Sequence, residues 1–292
     1  MIVVRLIGGL GNQLFQYAVA RHIAEINGAV LKLDISGFET YKLHKYSLWP
    51  FNIKENFASL KEITTLMTLK QGIVGSIIRR ILRKPPKLAS TYIREKKPFQ
   101  FDPDILNLSD GVYLAGSWQS EKYFADIGAI IRQEFTVKTP QAGKDRELAE
   151  QIASCESVSL HIRRGDYVSN PHTSEVHGTC GIDYYLRCVD CLTQTVKNPH
   201  FFIFSDEPEW AHNSLKLLYR TTIVGHNKAD KNYEDLRLMS QCKHHIIANS
   251  TFSWWGAWLS QNPDKIVLVP KRWFKSDDYD PKDLIPDKWI KV

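Results

Sequence analysis

The sequence predicts an α/β protein built from two doubly wound units. Short apolar runs of strand length alternate with longer runs of helical length. A glycine cluster joins the first strand-like run to the first helix-like run. The 292-residue chain is also about twice the length of a common single domain.

The first unit opens with a strand over Ile2–Ile7, a turn at Gly8–Gly11, a largely apolar helix over Asn12–Asn27 and a second strand over Val30–Asp34. Gly28 suits the helix stop. This is a βαβ pattern, and it calls for a parallel sheet. Residues 40–110 carry breakers at Pro85, Pro86, Pro98 and Pro103 and read less clearly. Val112–Ala115 reads as a strand returning to the first sheet, and Glu121–Glu134 as a helix. The polar stretch KTPQAGK, residues 138–144, is the best linker. Beyond it, strands are expected at Ser157–Ile162, His200–Ser205, Thr222–Val224, His245–Ala248 and Lys265–Val269. Helices are expected at Asp183–Val196, Pro208–Leu218, Tyr233–Cys242 and Thr251–Gln261. The expected division is thus a unit over 1–142, a unit over 143–270, and a tail over 271–292 that crosses back to the first.

Composition excludes several classes. Apolar residues make up 43% and charged residues 24%, which is globular and neither disordered nor collagen-like. No apolar run is long enough for a membrane-spanning helix. No signal-peptide pattern opens the chain, so a cytoplasmic location is expected. The five cysteines are odd in number and irregular in spacing, which fits reduced thiols, including the Cys188–Cys191 pair inside a helix. The net charge is +6, and Lys70, Arg79, Arg80, Arg83, Lys84 and Lys87 account for all of it within one amphipathic stretch. Such a helix over 70–87 either packs on its own domain or lies peripherally on an anionic membrane. A nucleic-acid binder would spread basic residues over a face, so no nucleic-acid partner is expected.

The candidate chemistry sits at strand ends, where an open α/β sheet places ligands. Gly8, Gly9 and Gly11 allow a tight turn and close approach of an anion, and Asn12 adds an amide beside a helix N-terminus. A dinucleotide fingerprint with Asp34 on a ribose is the rival, but the third glycine is missing. His161-Ile162-Arg163-Arg164-Gly165-Asp166 ends a strand in two arginines, suited to phosphate or to an ion pair with Asp166. Alternation puts His161 and Arg163 on one side. Asp206, after an apolar strand, is able to accept the N–H donors of a guanine or to cap a helix. Ser250, Thr251, Phe252 and Ser253 open a helix and either cap it or cradle a diphosphate. Trp254, Trp255 and Trp258 continue an apolar helix and read as core. The Asp102–Asp104 and Asp278–Asp280 pairs read as solvated turns, because a hard cation needs more oxygen ligands.

The motifs GGLGNQLFQYA, HIRRGDY, FSDE and NSTFSWWGAWL, in this order, resemble the α-1,2-fucosyltransferases of bacterial type. The resemblance implies a GT-B fold, with two Rossmann-like domains facing a central cleft. It implies a GDP-fucose donor, a galactose-terminated oligosaccharide acceptor, inversion at the fucose anomeric carbon, and no cofactor or metal. It puts Arg163 of the His161/Arg163 pair on the β-phosphate. Gly8, Gly9, Gly11 and Asn12 face the pyrophosphate and fucose, and Thr251, Phe252 and Ser253 lie beside the phosphates. Asp235 matches an acid that contacts the base in related enzymes, with Asp206 a second candidate for base or ribose. The general base stays open: Asp166 is the nearest acid and His161 the second choice. A nicotinamide-dependent oxidoreductase is the alternative, and it leaves HIRRGDY unexplained.

Overall fold

The computed structural model describes residues 1–68 and 89–292. The basic helix expected over 70–87 lies outside the described residues. The chain divides into two compact units, Met1–Phe135 with Lys282–Leu284, and Thr136–Pro281 with Ile285–Val292. The division therefore falls ahead of the polar stretch 138–144, where Gly143 already starts a helix. Of the tail 271–292, only Lys282–Leu284 groups with the first unit.

The first unit has a four-stranded parallel sheet in the order β2-β1-β4-β3, with β1 at Ile2–Arg5, β2 at Leu31–Asp34, β3 at Tyr92–Arg94 and β4 at Val112–Ala115. The β1 run IVVR buries its three apolar residues and exposes the arginine. Helix α1 (Leu10–Ile26) joins β1 to β2 and buries residues all round its first four turns, which is why its pattern is apolar rather than amphipathic. Helix α2 (Leu60–Met67) is started by a capping box between Ser59 and Glu62. The helix expected over Glu121–Glu134 is broken into two 3-10 turns and a short helix α3 (Gly128–Glu134). Phe124 leaves helical backbone at φ −144°, and both Tyr123 and Phe124 become buried. Core burial of two aromatics outweighs the few hydrogen bonds of a continuous helix.

The second unit has a six-stranded parallel sheet in the order β10-β9-β8-β5-β6-β7. Its strands are β5 (Glu156–Ile162), β6 (Pro199–Ser205), β7 (Arg220–Val224), β8 (His244–Ile246), β9 (Val267–Val269) and β10 (Ile290–Lys291). Helices α4 (Gly143–Ala153), α5 (Gly165–Ser169), α6 (Pro171–Val176), α7 (Ile182–Thr193), α8 (Pro208–Ser214), α9 (Asn232–Gln241) and α10 (Thr251–Leu259) alternate with them. Strand β6 shows why its sequence is apolar throughout. Phe201 and Ile203 pack with Tyr185, Cys188 and Leu192 of α7, while Phe202 and Phe204 pack with Ile152 of α4 and Met239 of α9. A parallel strand covered on both faces needs apolar residues at odd and even positions alike. Trp254, Trp255 and Trp258 are buried, and Trp289 packs 5.4 Å from Trp254, so these rings are core as expected. The cysteines of the described chain are free thiols. No helix among the described residues is long and apolar enough to cross a membrane.

Candidate active site

In the second sheet the chain runs from β5 through β6 to β7 on one side, then returns to β8 on the other. The strand order therefore reverses between β5 and β8, and such a switch point opens a crevice at the carboxyl ends of the strands. The segments that leave these two strands are Arg163–Gly165 and Ile247–Ser253, two of the sequence motifs. They touch: the Tyr167 hydroxyl donates to the Asn249 carbonyl at 3.1 Å, and the His161 and Phe252 rings lie 5.6 Å apart.

Arg163 is held by Asp206, which follows the neighbouring strand β6. Arg163 Nη1 lies 3.1 Å from Asp206 Oδ2, and the Arg164 backbone N–H donates to Asp206 Oδ1 at 3.0 Å. Asp206, expected as a second candidate for base or ribose, thus braces the whole arginine turn with both oxygens. Gly165 makes room for this: a Cβ there would stand 2.6 Å from Asp206 Oδ2. The Arg163 guanidinium also lies 5.5 Å from the centre of the Tyr167 ring. Arg164 turns the other way, bonds Glu207 at 3.0 Å and stacks on Trp210 at 3.8 Å. Asp166 sits in α5, and its side chain is outside what the structure describes.

His161 shares β5 with these residues but is buried, with Nδ1 lacking a hydrogen-bond partner. Burial, helped by the Arg163 charge, pushes its imidazolium down to about 3. At neutral pH the ring is uncharged and a weak proton acceptor, which argues against it as the general base.

Helix α10 begins at the switch point. Ser250 caps it, with its Oγ accepting from Phe252 N–H at 3.3 Å. Ser253 does not reach out as expected, because its hydroxyl is fully buried and bonded to the Ala248 and Ser250 carbonyls. Thr251 and Phe252 remain half-buried in the first turn. Asn249 is a structural knot, donating to the carbonyls of His177 and Trp273.

Asp235 lies elsewhere, in the first turn of α9 near the end of β7. With strands about 4.8 Å apart, β7 is roughly 10 Å from β5. Asn227 donates at 2.8 Å to both Asp235 and Asp145, and His226 bonds Asp145 at 2.8 Å. Burial, with Asp145 and Glu234 nearby, raises the Asp235 carboxyl to about 7 although Asn227 opposes the shift.

In the first unit the switch point lies between β1 and β4. The glycine turn leaves β1 there. Gly8 has φ +76°, and a Cβ would meet Asn12 Nδ2 at 2.5 Å. Gly9 precedes α1 without any side-chain cap, and Gly11 is buried inside the helix. Two buried glutamines fix the turn. Gln13 donates to the Gly8 carbonyl at 2.8 Å, and Gln16 accepts from Ile7 N–H at 3.0 Å. Gln13 also ties down the 45–47 loop through the Lys45 carbonyl and Ser47 N–H. Asn12 accepts from Gln119, which follows β4, at 3.2 Å. Asp34 is buried, and its carboxylate is taken by the Tyr113 hydroxyl at 2.5 Å and by Ser36, so it has no oxygen turned outward for a ribose. Asp102 caps a 3-10 turn and Asp278 bonds Ser276. Among the described residues no group of three or more His, Cys, Asp or Glu is placed to hold a metal ion.

Sequence reading missed Gln13, Gln16, Tyr167, Asp145 and Asn227. A clue was present for the glutamines: they stand three residues apart on one helix face directly after the glycine turn, where a plain apolar helix would carry aliphatic residues.

Residues 93–292 match the sequence pattern of glycosyl transferase family 11. The chain is 36% identical to an alpha-1,2-colitosyltransferase of Escherichia coli, over 100% of this chain and 99% of that protein. It is 24% identical to the human galactoside alpha-(1,2)-fucosyltransferase 1, over 87% of this chain and 64% of that protein. Among solved structures, the fucosyltransferase NodZ from Bradyrhizobium superposes with a TM-score of 0.50 at 13% identity, covering 88% of this chain and 92% of that one. That likeness concerns the fold, and with two parallel doubly wound sheets in one chain the fold class is GT-B, each unit Rossmann-like.

Proposed function

The chain belongs to glycosyl transferase family 11 and is a glycosyltransferase; from that premise we propose that it moves L-fucose from GDP-fucose to the 2-hydroxyl of a terminal galactose, with inversion and without a metal. The observation that carries this reading is Arg163, posted by Asp206 at the β5/β8 switch point, where α10 also begins. In the reaction the galactose O2 bonds to fucose C1 while the bond from C1 to the β-phosphate oxygen breaks. The electron pair leaves with GDP and the proton of the galactose hydroxyl passes to solvent, so negative charge grows on the diphosphate. The Arg163 guanidinium and a helix N-terminus suit that charge. Asp235 stands about two strands away, a span that a nucleoside diphosphate bridges, and as a carboxylate it accepts the N1–H and N2–H₂ of guanine. The α-1,2 linkage is common to the names of both relatives.

A second reading changes only the sugar: colitose in place of fucose, favoured by the 36% identity to a colitosyltransferase. The oxidoreductase alternative has no support in the family, and Asp34 is committed internally. The test is calorimetric titration with GDP in the presence of EDTA, with UDP and NAD as controls. Transfer from GDP-fucose and from GDP-colitose to a β-galactoside follows. GDP binding with fucosyl transfer is expected. Binding of NAD but not GDP refutes the reading, a strict need for magnesium refutes its metal-free form, and turnover of GDP-colitose alone selects the second sugar.

A further inference from the structure

A cavity of about 670 Å³ lies wholly within the second unit, at the carboxyl ends of β8 and β9. Its wall includes Tyr184 and Arg187 of α7, Asn249 after β8, and Lys271, Phe274 and Lys275 after β9. With Arg272, four residues with cationic side chains line it, and no Asp or Glu does. Arg272 is engaged by Asp277 and by the Phe274 carbonyl. Among the described residues Arg187, Lys271 and Lys275 have no carboxylate within ion-pair distance. Val292 also lines the cavity, where its main-chain oxygen accepts Lys271 N–H at 3.2 Å. This local excess is not a by-product of a basic chain. The six cations between Lys70 and Lys87 equal the net charge of +6, so the remaining residues balance.

The cavity is of the size that small-molecule sites have, and it is larger than a single ion requires. Tyr184 spends its hydroxyl on the Ile247 carbonyl at 2.7 Å, and Tyr184 and Phe274 are the aromatic residues of the wall apart from His177. Cations combined with aromatic faces suit a ligand that is part anion and part apolar ring face. The cavity also adjoins the arginine turn. Asn249 lines it, and its carbonyl takes the hydroxyl of Tyr167, the ring beside Arg163.

We propose that this cavity is a subsite for an anionic sugar unit of the acceptor, a pyranose bearing a carboxylate or a phosphate. It rests on the glycosyl-transfer reading only in assigning the ligand to the acceptor. The preferred acceptor is then an acidic glycan or a glycosyl phosphate rather than a neutral oligosaccharide.

The test uses the full chain saturated with GDP, so that the arginine turn is filled. Glucuronate, galactose 1-phosphate and galactose are titrated in turn by calorimetry. Both anionic sugars are expected to bind and galactose is not, with affinity falling as salt rises. The tighter of the two anions tells a carboxylate source from a phosphate source. The double variant Lys271→Gln/Lys275→Gln should weaken anionic-sugar binding at least tenfold and leave GDP affinity unchanged. Arg187→Gln, on the exposed face of α7, repeats the test should the double variant fold poorly. Equal binding of galactose, no binding of either anion, or binding that survives these substitutions overturns the proposal. Failure of the GDP titration itself would instead count against the donor reading.

Discussion

Replacing Asp206 by asparagine separates a brace from a base contact. In the native protein one carboxylate oxygen accepts the Arg164 N–H and the other faces Arg163 Nη1 at 3.1 Å. Asparagine keeps one acceptor and turns an NH₂ donor toward the guanidinium, so Arg163 is released. At 3.1 Å and an effective dielectric constant of about 20, the charge pair is worth about 5 kcal/mol before solvent screening. The two side chains are 28% and 23% exposed, which brings the expected cost into the range of a charge-assisted hydrogen bond, about 1.5–3 kcal/mol. If that energy holds Arg163 for the departing diphosphate, kcat for transfer drops roughly 10- to 150-fold. Steady-state transfer with GDP-fucose reads this directly, and competitive inhibition by GDP and IDP reads the base. The brace predicts lower kcat with an unchanged GDP-to-IDP ratio. Unchanged kcat, or loss of the preference for GDP over IDP, would refute the reasoning.

Further outcomes follow from the same geometry. Gly8→Ala should cost about 2 kcal/mol or more, from positive φ and the contact with Asn12, whereas Gly9→Ala at φ −75° should cost about 1 kcal/mol or less; urea unfolding compares the two. Asp235 keeps a proton in the folded state up to about pH 7 that an unfolded Asp has lost by about pH 4. Stability should therefore fall as pH rises through that window and level off above it. Asp235→Asn should remove this trend, a difference on the order of 4 kcal/mol at most, seen in melts from pH 4 to 8. Trp254→Ala should lose roughly 3–5 kcal/mol of stability, and acceptor KM in the surviving folded fraction should stay unchanged if the ring is core.

The strands of the second unit were legible because each is a short apolar run bounded by polar or breaker residues, and β4 falls at the expected Val112–Ala115. The site was legible as motifs, since Arg163 and Ser250 do share a switch point. Their partners were not. Sequence offers Asp166 three residues from Arg163, whereas strand pairing in register, Ile162 opposite Ser205, brings Asp206 alongside. Register is a property of two strands and cannot be read from one. Ser253 failed for a related reason: in a helix buried on nearly all sides, a hydroxyl facing the core satisfies itself on the preceding carbonyls. The break at Phe124 turned on aromatic packing, which a helical pattern in one segment does not encode.

Residues 282–291 give the chain an order of completion during synthesis. Asp283 takes the Lys122 ammonium at 2.6 Å and the Phe101 N–H at 2.9 Å, Leu284 is buried with the first unit, and Ile290–Lys291 forms the last strand of the second. Domains commonly finish folding one after another as they emerge from the ribosome. Here the earliest unit waits for residues made almost at the end, and the later unit closes only a few residues after it. Both therefore reach their final form nearly together, and a nascent chain halted at 281 would hold one unit short of Asp283 and Leu284 and another short of its last strand.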